Sequence, residues 1–164
     1  MSVQRRTEPV VDLADYVLPL LDEPRPAAMG PHYTHPHTHR WAATIASFDG
    51  FVFVTPEYNH STSAALKNAI DFLFVEWNNK AAGFVSYGVG PGGTRAVEHL
   101  RLVMGELAVA DVRCQVALSL FTDFNDEGQP SPAAYQHDVL NRMLGEVTAW
   151  SAALATLRAT KSAA

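Results

Sequence analysis

The chain has 164 residues, 48% of them hydrophobic, and a net charge of −5, so it is long enough for a single domain spanning residues 1–164. This acidic balance and the lack of a lysine or arginine cluster exclude the usual nucleic-acid footprint, and no apolar run approaches the roughly 18 residues of a membrane span. Residues 1–8 are polar and charged, unlike a secretory leader. We therefore expect a cytoplasmic protein with no nucleic-acid or membrane partner, and Cys114, the only cysteine, excludes an internal disulfide.

Strand and helix patterns alternate along the chain without internal repeats, which is typical of a doubly wound α/β fold. Residues 9–16 are the first strand candidate, and the prolines within residues 18–26 indicate an extended surface loop after it. Apolar residues spaced by three and four predict a helix over residues 38–48. The continuous apolar run at residues 51–54 fits a strand that is buried on both faces of a parallel sheet.

The same alternation continues through the second half of the chain. Its predicted elements are, in order, a helix begun by Ser63 and ended by Asn78 and Asn79, a strand at residues 83–88, a glycine-rich turn, a helix over residues 97–107, a strand at residues 112–118 and a helix over residues 133–157. The sequence therefore predicts a parallel sheet whose strands include the segments around residues 11, 52, 85 and 116.

The loop that follows the apolar run at residues 51–54 is the first candidate for a functional site. Ligands of open α/β sheets bind outside the carboxyl ends of the strands. Pro56 ends the strand, Tyr58 offers a flat face and a hydroxyl, and Asn59 tolerates left-handed backbone conformations. A stacked planar ligand would suit this loop, and the alternative is an ordinary strand exit with a surface tyrosine.

The glycine-rich turn after the strand at residues 83–88 is the second candidate. Glycines let a backbone approach an anion or a ring closely, and the helix that follows begins with free amide groups. The run from Gly88 to Gly93 does not supply a dinucleotide-binding G-x-G-x-x-G fingerprint, so a plain connecting turn is the alternative. If the two strands pair in parallel, both loops open at the same edge of the sheet.

Four motifs together carry a resemblance to a known family. They are Thr55-Pro56-Glu57-Tyr58-Asn59-His60-Ser61, Ala65-Leu66-Lys67-Asn68-Ala69-Ile70-Asp71, Trp77-Asn78-Asn79-Lys80, and Ser86-Tyr87-Gly88 with Gly92-Gly93. In this order they resemble the NADPH-dependent FMN reductase family, which includes flavodoxin-like quinone, azo-compound and chromate reductases. The resemblance covers most of residues 11–118 and implies a flavodoxin-like doubly wound parallel sheet.

The resemblance also implies an FMN site at the two strand exits. The residues implied to line the flavin ring or to hold it are Pro56, Glu57, Tyr58, Asn59, Ser86, Tyr87 and Gly88, with Gly92 and Gly93 shaping the opening. The implied activity is NAD(P)H-dependent reduction of the flavin, with NADPH or NADH as co-substrate. Electrons then pass to a small-molecule acceptor, which is a quinone-like compound, an azo compound or a free flavin. Because the flavin carries the chemistry, no catalytic side-chain nucleophile is implied.

The amino-terminal end departs from the family, whose members open with a strand, a phosphate-binding loop and a helix. Residues 1–8 show neither a strand pattern nor a phosphate cradle, and residues 9–16 match what is normally the second strand. The domain thus resembles an amino-terminally truncated member, and we expect weak FMN binding that an added upstream strand-loop-helix segment would restore. Three outcomes stay open: residues 9–16 occupy the vacant central position, another subunit donates a strand, or the true start lies upstream.

Histidines and apolar helix residues supply two further hypotheses. Four histidines within residues 31–40 suit zinc or copper, which makes a metal-binding module one alternative, but no cysteine or acidic residue completes a ligand set. We assign no metal ligand and prefer capping of the helix that carries Trp41. Because Phe72, Phe74 and Trp77 do not all fit one core, we expect a homodimer or larger assembly through their helix. The remaining alternative is a partner subunit or non-redox protein that has lost its phosphate site.

Overall fold

The computed structural model describes residues 9–162. Its centre is a three-stranded parallel sheet in the order β1-β2-β3, formed by β1 (Gly50–Pro56), β2 (Ala81–Gly88) and β3 (Ala110–Ser119). The helices are α1 (Pro36–Ala46), α2 (Ala64–Asp71), α3 (Thr94–Glu106) and α4 (Ala134–Ser162). A helix follows each strand, as parallel connections require, which confirms the predicted α/β class.

Helices cover both faces of the sheet. The larger core lies between one face and the helices α1, α2 and α3, and its members include Trp41, Phe53, Trp77, Phe84 and Leu100. On the opposite face α4 packs through Met143 and Val147. A Cβ at Gly83 would lie 2.9 Å from Met143 Cγ, so this glycine lets α4 approach the backbone of β2. The doubly wound arrangement is therefore confirmed.

Most predicted elements are present, with ends displaced by a few residues. The strands near residues 52, 85 and 116, the helix after Ser63 and the helices at α1, α3 and α4 all form. Ser63 acts as the predicted N-cap, since its hydroxyl accepts a hydrogen bond from Leu66 N at 3.2 Å. Across residues 9–162, no helix combines the length and the apolar character needed to cross a bilayer.

The strand predicted at residues 9–16 is wrong. Leu13–Asp15 form a 3₁₀ turn, and the carboxylate of Asp12 caps it by accepting from Ala14 N at 2.9 Å. Tyr16 then packs edge-on against Trp41, and its hydroxyl donates to Thr44 Oγ1 at 2.9 Å. Within residues 9–162 no strand pairs with this segment, so local capping by aspartate and packing on α1 determine its conformation. It does not move into a central position of the sheet.

The helix predicted to reach Trp77 ends instead at Asp71, and the chain turns back on itself. Trp77 Nε1 donates to Ile70 O at 3.1 Å, which requires this turn. Phe72 and Trp77 are fully buried, and Phe74 packs on the same core. The prediction that these aromatic side chains do not share one core is therefore wrong. The argument for a partner surface on this helix rested on that prediction and no longer holds.

One edge and part of one face of β1 are uncovered. Val52 and Val54 are 37% and 63% exposed, so the prediction of a strand buried on both faces is wrong. Glu57 N donates to Tyr87 O at 2.9 Å. Because alternate residues of a parallel strand face the same neighbour, the backbone groups of Val52 and Val54 face away from β2. Within residues 9–162, no strand pairs with them there.

The opposite edge of the sheet is closed by side chains. Arg101 on α3 donates to Val112 O at 3.0 Å and to Arg113 O at 3.3 Å, and it forms an ion pair with Asp111. Gln136 Nε2 also donates to a carbonyl of β3, that of Ala117, at 3.0 Å. Such coverage prevents strand addition at β3, and within residues 9–162 no side chain from another element donates to a carbonyl of β1.

Candidate functional site

The loops that follow β1 and β2 lie side by side at the carboxyl end of the sheet, as predicted. Pro56 is in register with Tyr87, and the hydrogen bond from Glu57 N to Tyr87 O extends the pairing one residue beyond β1. Leu120 N donates to Gly88 O at 3.0 Å, which adds the exit of β3. We call residues 56–61 and 86–93 together the mouth, and it occupies the position where open α/β sheets bind ligands.

A tight turn at residues 58–61 forms one side of the mouth. Tyr58 N donates to Ser61 O at 2.9 Å, and Ser61 N donates to Tyr58 O at 3.0 Å. Asn59 and His60 both have positive φ, +50° and +69°, which is the geometry of a type I′ turn. This conformation is uncommon for histidine. Tyr58 is 63% exposed, so a flat aromatic face is available to a ligand.

Contacts from β1 and from α3 restrain the residues next to that turn. Thr55 is buried and its hydroxyl lies 2.8 Å from the hydroxyl of Thr62. From α3, His99 Nδ1 lies 3.0 Å from Ser61 Oγ. These contacts restrain the backbone against the sheet, which favours a preformed position for Tyr58.

The glycine turn forms the other side of the mouth, and its glycines serve packing. Ser86 is buried, and its hydroxyl donates to Gly92 O at 2.8 Å. A Cβ at Gly92 would lie 2.8 Å from Ala117 C, and a Cβ at Gly93 would lie 2.9 Å from Ser86 Cβ. Both residues also have positive φ, so a side chain is disfavoured by the backbone conformation as well as by the close contacts. These glycines let the turn pack closely against the sheet, because the atoms they approach belong to β2 and β3.

A partly buried ion pair joins the two sides of the mouth. Glu57 has a side chain only 5% exposed, and its Oε1 accepts from Arg95 Nε at 2.6 Å while its Oε2 accepts from Arg95 N at 3.2 Å. The hydrogen bond from the Arg95 side chain lowers the pKa of Glu57 below its ordinary value, against the effect of burial. The carboxylate thereby caps the amino terminus of α3.

The predicted site residues divide into two groups by exposure. Tyr58 and Asn59 are exposed to solvent, and Pro56 and Tyr87 are half-buried. The remaining predicted residues have little or no exposure and support the mouth from its interior side; they are Glu57, Ser86, Gly88, Gly92 and Gly93. Sequence reasoning missed Arg95 and His99, which hold the mouth together. A basic residue just after the glycine turn was an available signal for Arg95, whereas nothing local marked His99.

The side chains of the histidine-rich segment contact acidic residues and one another. His37 Nε2 lies 3.0 Å from Asp22 Oδ1, and the His35 ring stacks on His37 with centroids 5.2 Å apart. Glu23 caps the start of α1 by accepting from the backbone N–H of His35 at 3.1 Å. Across residues 9–162, no three His, Cys, Asp or Glu side chains converge as a metal-binding group. The start of α1 is thus capped by an acidic residue and not by histidine.

The family model described as NADPH-dependent FMN reductase matches residues 5–123 of the chain. The chain belongs to the NADPH-dependent FMN reductase family. An NAD(P)H-dependent FMN reductase of Schizosaccharomyces pombe is 45% identical over 124 residues, which are 75% of this chain and 62% of that protein. An NAD(P)H-dependent FMN reductase of a Nectria species is 42% identical over 123 residues, 71% of this chain and 60% of that protein. The chain therefore spans somewhat less than two thirds of these relatives.

A solved structure supports the fold of this family member. An oxidoreductase from Corynebacterium diphtheriae superposes with a TM-score of 0.62, covering 87% of this chain and 74% of that chain at 16% sequence identity. At this identity the likeness concerns the fold alone, and it agrees with the predicted flavodoxin-like class.

The mouth fits the ring of FMN better than it fits the phosphate. The exposed face of Tyr58 beside Pro56 suits a planar ring. Helix amino termini are the usual phosphate sites of such folds, yet Glu57 accepts from Arg95 N at the start of α3, and Glu23 accepts from Thr34 N and His35 N just before α1. A second anion at either terminus would face a carboxylate. The carboxylates beside α1 and α3 therefore leave neither of these two helix termini as an evident phosphate cradle.

Proposed function

We propose that this chain binds FMN at the mouth and acts as an NAD(P)H-dependent FMN oxidoreductase, with a quinone-like compound, an azo compound or a free flavin as acceptor. The observation that carries the proposal is the pairing of Pro56 with Tyr87, which brings the two loops of the family's motifs together. Membership of the NADPH-dependent FMN reductase family supports the choice of cofactor. We further propose that residues 1–164 act as one domain in the cytoplasm.

Each part of the mouth has a role in this proposal. Tyr58 provides a face for stacking, and Pro56 limits how the ring tilts. Glu57 and Arg95 keep the two loops at a fixed separation. When bound, FMN supplies the two-electron chemistry that links a nicotinamide co-substrate to an acceptor, so the chain needs only to bind and orient it.

Affinity for FMN is expected to be low. A phosphate held at a helix amino terminus gains several charge-assisted hydrogen bonds, worth about 1.5–3 kcal/mol each. With the starts of α1 and α3 occupied by Glu23 and Glu57, those contacts have no evident counterpart in residues 9–162. Losing two of them lowers affinity by about two to four powers of ten. Ring stacking then carries most of the binding.

An absorption spectrum of the purified protein, followed by titration with FMN, tests the proposal. Oxidised FMN absorbs blue light, and binding at Tyr58 should quench its fluorescence. Tyr58→Ala should weaken binding about fivefold or more, since stacking contributes about 1 kcal/mol. Trp150→Ala is the control, because this exposed aromatic residue precedes Ser151, which lies against Gly50 at the far end of β1. Absence of FMN binding at millimolar concentration, or equal effects of both variants, would contradict the proposal.

A partner-subunit role is the second candidate function, and the uncovered edge of β1 favours it. We propose that the chain forms a homo-oligomer through this edge, with Val52 and Val54 at the contact. Light scattering should show a dimer or larger species at micromolar concentration. Val54→Lys should shift it to monomer, whereas Leu102→Lys, at a 77% exposed position on α3, should not. A monomeric wild type refutes the assembly, and dissociation by Leu102→Lys alone assigns it to another face.

A further inference from the structure

A cleft lies along the first half of β3, between α3 and α4. Its volume is about 510 Å³, which is within the range of small-molecule sites. The mouth lies beyond the carboxyl end of the same strand, where Leu120 N contacts Gly88 O. An inference about the cleft therefore does not rest on the proposed function. The residues that line the cleft are Glu98, Arg101, Asp111, Arg113, Gln115 and Trp150.

An irregularity in the pairing of β3 with β2 shapes one wall of this cleft. Ala82 is in register with Asp111 and Phe84 with Gln115, so three residues of β3 lie opposite a single residue of β2. Such a bulge bends the strand and redirects its side chains, and bulges are common beside functional sites. Arg113 lies at the centre of this bulge and is exposed.

Arg101 is committed to holding the bulge in place. Its guanidinium donates to two carbonyls of the bulge, at 3.0 and 3.3 Å, and to Gln115 Oε1 at 3.0 Å. It also forms an ion pair with Asp111, and its Nε lies 3.7 Å from Glu98 Oε1. Both carboxylates that line the cleft are thus paired with Arg101, and neither is paired with Arg113.

The groups that the cleft leaves available are hydrogen-bond donors and one aromatic face. In residues 9–162, the guanidinium of Arg113 has no hydrogen bond or ion pair, and the amide nitrogen of Gln115 and the indole N–H of Trp150 have no acceptor. Trp150 is 48% exposed. Arginine keeps its charge at every physiological pH. A ligand that satisfies these groups carries an anionic acceptor next to a flat apolar ring.

Two features of the cleft decide the class of ligand. Its charged side chains balance in total, because Glu98 and Asp111 offset the two arginines. One available guanidinium therefore suits a monoanion, whereas a phosphate, with nearly two negative charges, would meet two carboxylates. Arg101 occupies carbonyls of the edge strand, so an extended peptide does not add to β3 here. The remaining class is a small carboxylate with an aromatic ring.

We propose that this cleft is a second ligand site and that it binds planar aromatic carboxylates. The carboxylate pairs with Arg113 through two parallel hydrogen bonds and accepts a third from the amide of Gln115. The ring stacks on the face of Trp150. Arg101 is a positioning residue, because it holds the amide oxygen of Gln115 and so leaves the amide nitrogen to the ligand.

Calorimetric titration of the full chain with 2-naphthoate tests the proposal. The amide 2-naphthamide keeps the rings without the charge, cyclohexanecarboxylate keeps the charge without a flat ring, and 2-naphthyl phosphate carries more negative charge. The first two should bind about fivefold or more weakly than 2-naphthoate, and the phosphate should bind no more tightly. The proposal is overturned by no binding of 2-naphthoate at about 10 mM. Equal affinity for 2-naphthoate and either of the first two probes, or tighter binding of the phosphate, also overturns it.

Signals of the ¹⁵N-labelled chain locate the ligand. The indole N–H signal of Trp150 should shift on titration with 2-naphthoate, together with the backbone amides of Arg113 and Gln115. Trp41 and Trp77 are buried, so their indole signals should stay in place. Shifts confined to residues 56–61 and 86–93 would assign the ligand to the mouth and refute the cleft.

Matched variants test the charge and the ring separately. Arg113→Gln should weaken binding of 2-naphthoate about tenfold, whereas Arg25→Gln makes the same change at an exposed position before α1 and should have no effect. Trp150→Leu should weaken binding about fivefold, and Phe121→Leu, at a 73% exposed position, should not. Because all four side chains are exposed, each variant should keep the wild-type fold. Equal losses in a variant and its control, or full affinity in Arg113→Gln, would overturn the proposal.

Discussion

Replacing Glu57 by glutamine tests how the two sides of the mouth are joined. The carboxylate contacts Arg95 Nε at 2.6 Å and Arg95 N at 3.2 Å, and it lies at the amino terminus of α3. Hydrogen bonds to charged groups contribute about 1.5–3 kcal/mol, and a negative charge at a helix start adds about 0.3–1 kcal/mol. Arg95 is 44% exposed, so solvent screens part of this gain. Glutamine retains one acceptor, and we expect Glu57→Gln to cost about 1–2 kcal/mol.

The pH dependence of this loss identifies its cause. Because Arg95 lowers the pKa of Glu57 in the folded state, the unfolded state binds more protons as the pH falls. The stabilisation is fully present above the ordinary unfolded pKa of about 4.3, and it is lost as the pH falls through the lower folded pKa. The free-energy difference between wild type and Glu57→Gln should therefore be largest at pH 7 and shrink below about pH 4.

Urea denaturation at pH 7 and at several values between 5 and 3 measures both quantities. Glu127→Gln, at an exposed loop position, makes the same chemical change without an ion pair and should be neutral. FMN titration at pH 7 should show weaker binding for Glu57→Gln, because the loop separation is less restrained. A variant as stable as wild type at pH 7, or one equally destabilised at every pH, would refute the reasoning.

Three further changes test the surroundings of the mouth and the sheet. Burial lowers the pKa of Lys80 to about 8, and its Nζ donates to Ile45 O at 2.7 Å. In the unfolded state the lysine keeps its proton to about pH 10.4. The free energy of unfolding should therefore rise by about 1–3 kcal/mol between pH 8 and 10.4. Lys80→Met should abolish that rise in urea titrations, and a flat wild-type profile would contradict the assignment. Gly92→Ala should cost several kcal/mol in thermal denaturation, whereas Gly90→Ala, with a similar φ and nothing near its Cβ, should cost only about 1 kcal/mol; equal losses would remove the packing role. Asp123→Asn should cost about 1–2 kcal/mol, because the buried carboxylate accepts from Ser119 N at 2.9 Å, and faster proteolysis after β3 should accompany it.

The sequence predicted the mouth because its information is local. The apolar run of residues 51–54 and the strand at residues 83–88 each end in residues that stop a ladder, and parallel pairing places such ends together. The Glu57–Arg95 pair escaped prediction because the partners lie 38 residues apart. Nothing in the sequence marks His60 for a left-handed conformation either, since the turn is imposed by the pairing of Tyr58 with Ser61.

Two errors share a different cause, which is that local patterns do not report tertiary partners. Residues 9–16 carry a strand composition, yet a strand requires a neighbour, and Asp12 instead caps a 3₁₀ turn. The helical spacing from Leu66 to Trp77 is genuine, but Trp77 satisfies its indole N–H on Ile70 O only if the helix ends first. In both places a single side-chain hydrogen bond decides against the periodic pattern.

The unequal edges of the sheet limit how copies of the chain can assemble. Arg101 and Gln136 occupy carbonyls of β3, so within residues 9–162 the edge left open to strand addition is that of β1. A molecule whose sheet has two unpaired edges can add further copies head to tail and form a filament. A molecule with one unpaired edge has no free edge left once two copies pair through it. Pairing through Val52 and Val54 would therefore terminate at a symmetric dimer with a continuous six-stranded sheet. Replacing both Arg101 and Gln136, by contrast, would remove that stop and convert a closed pair into a chain-forming unit.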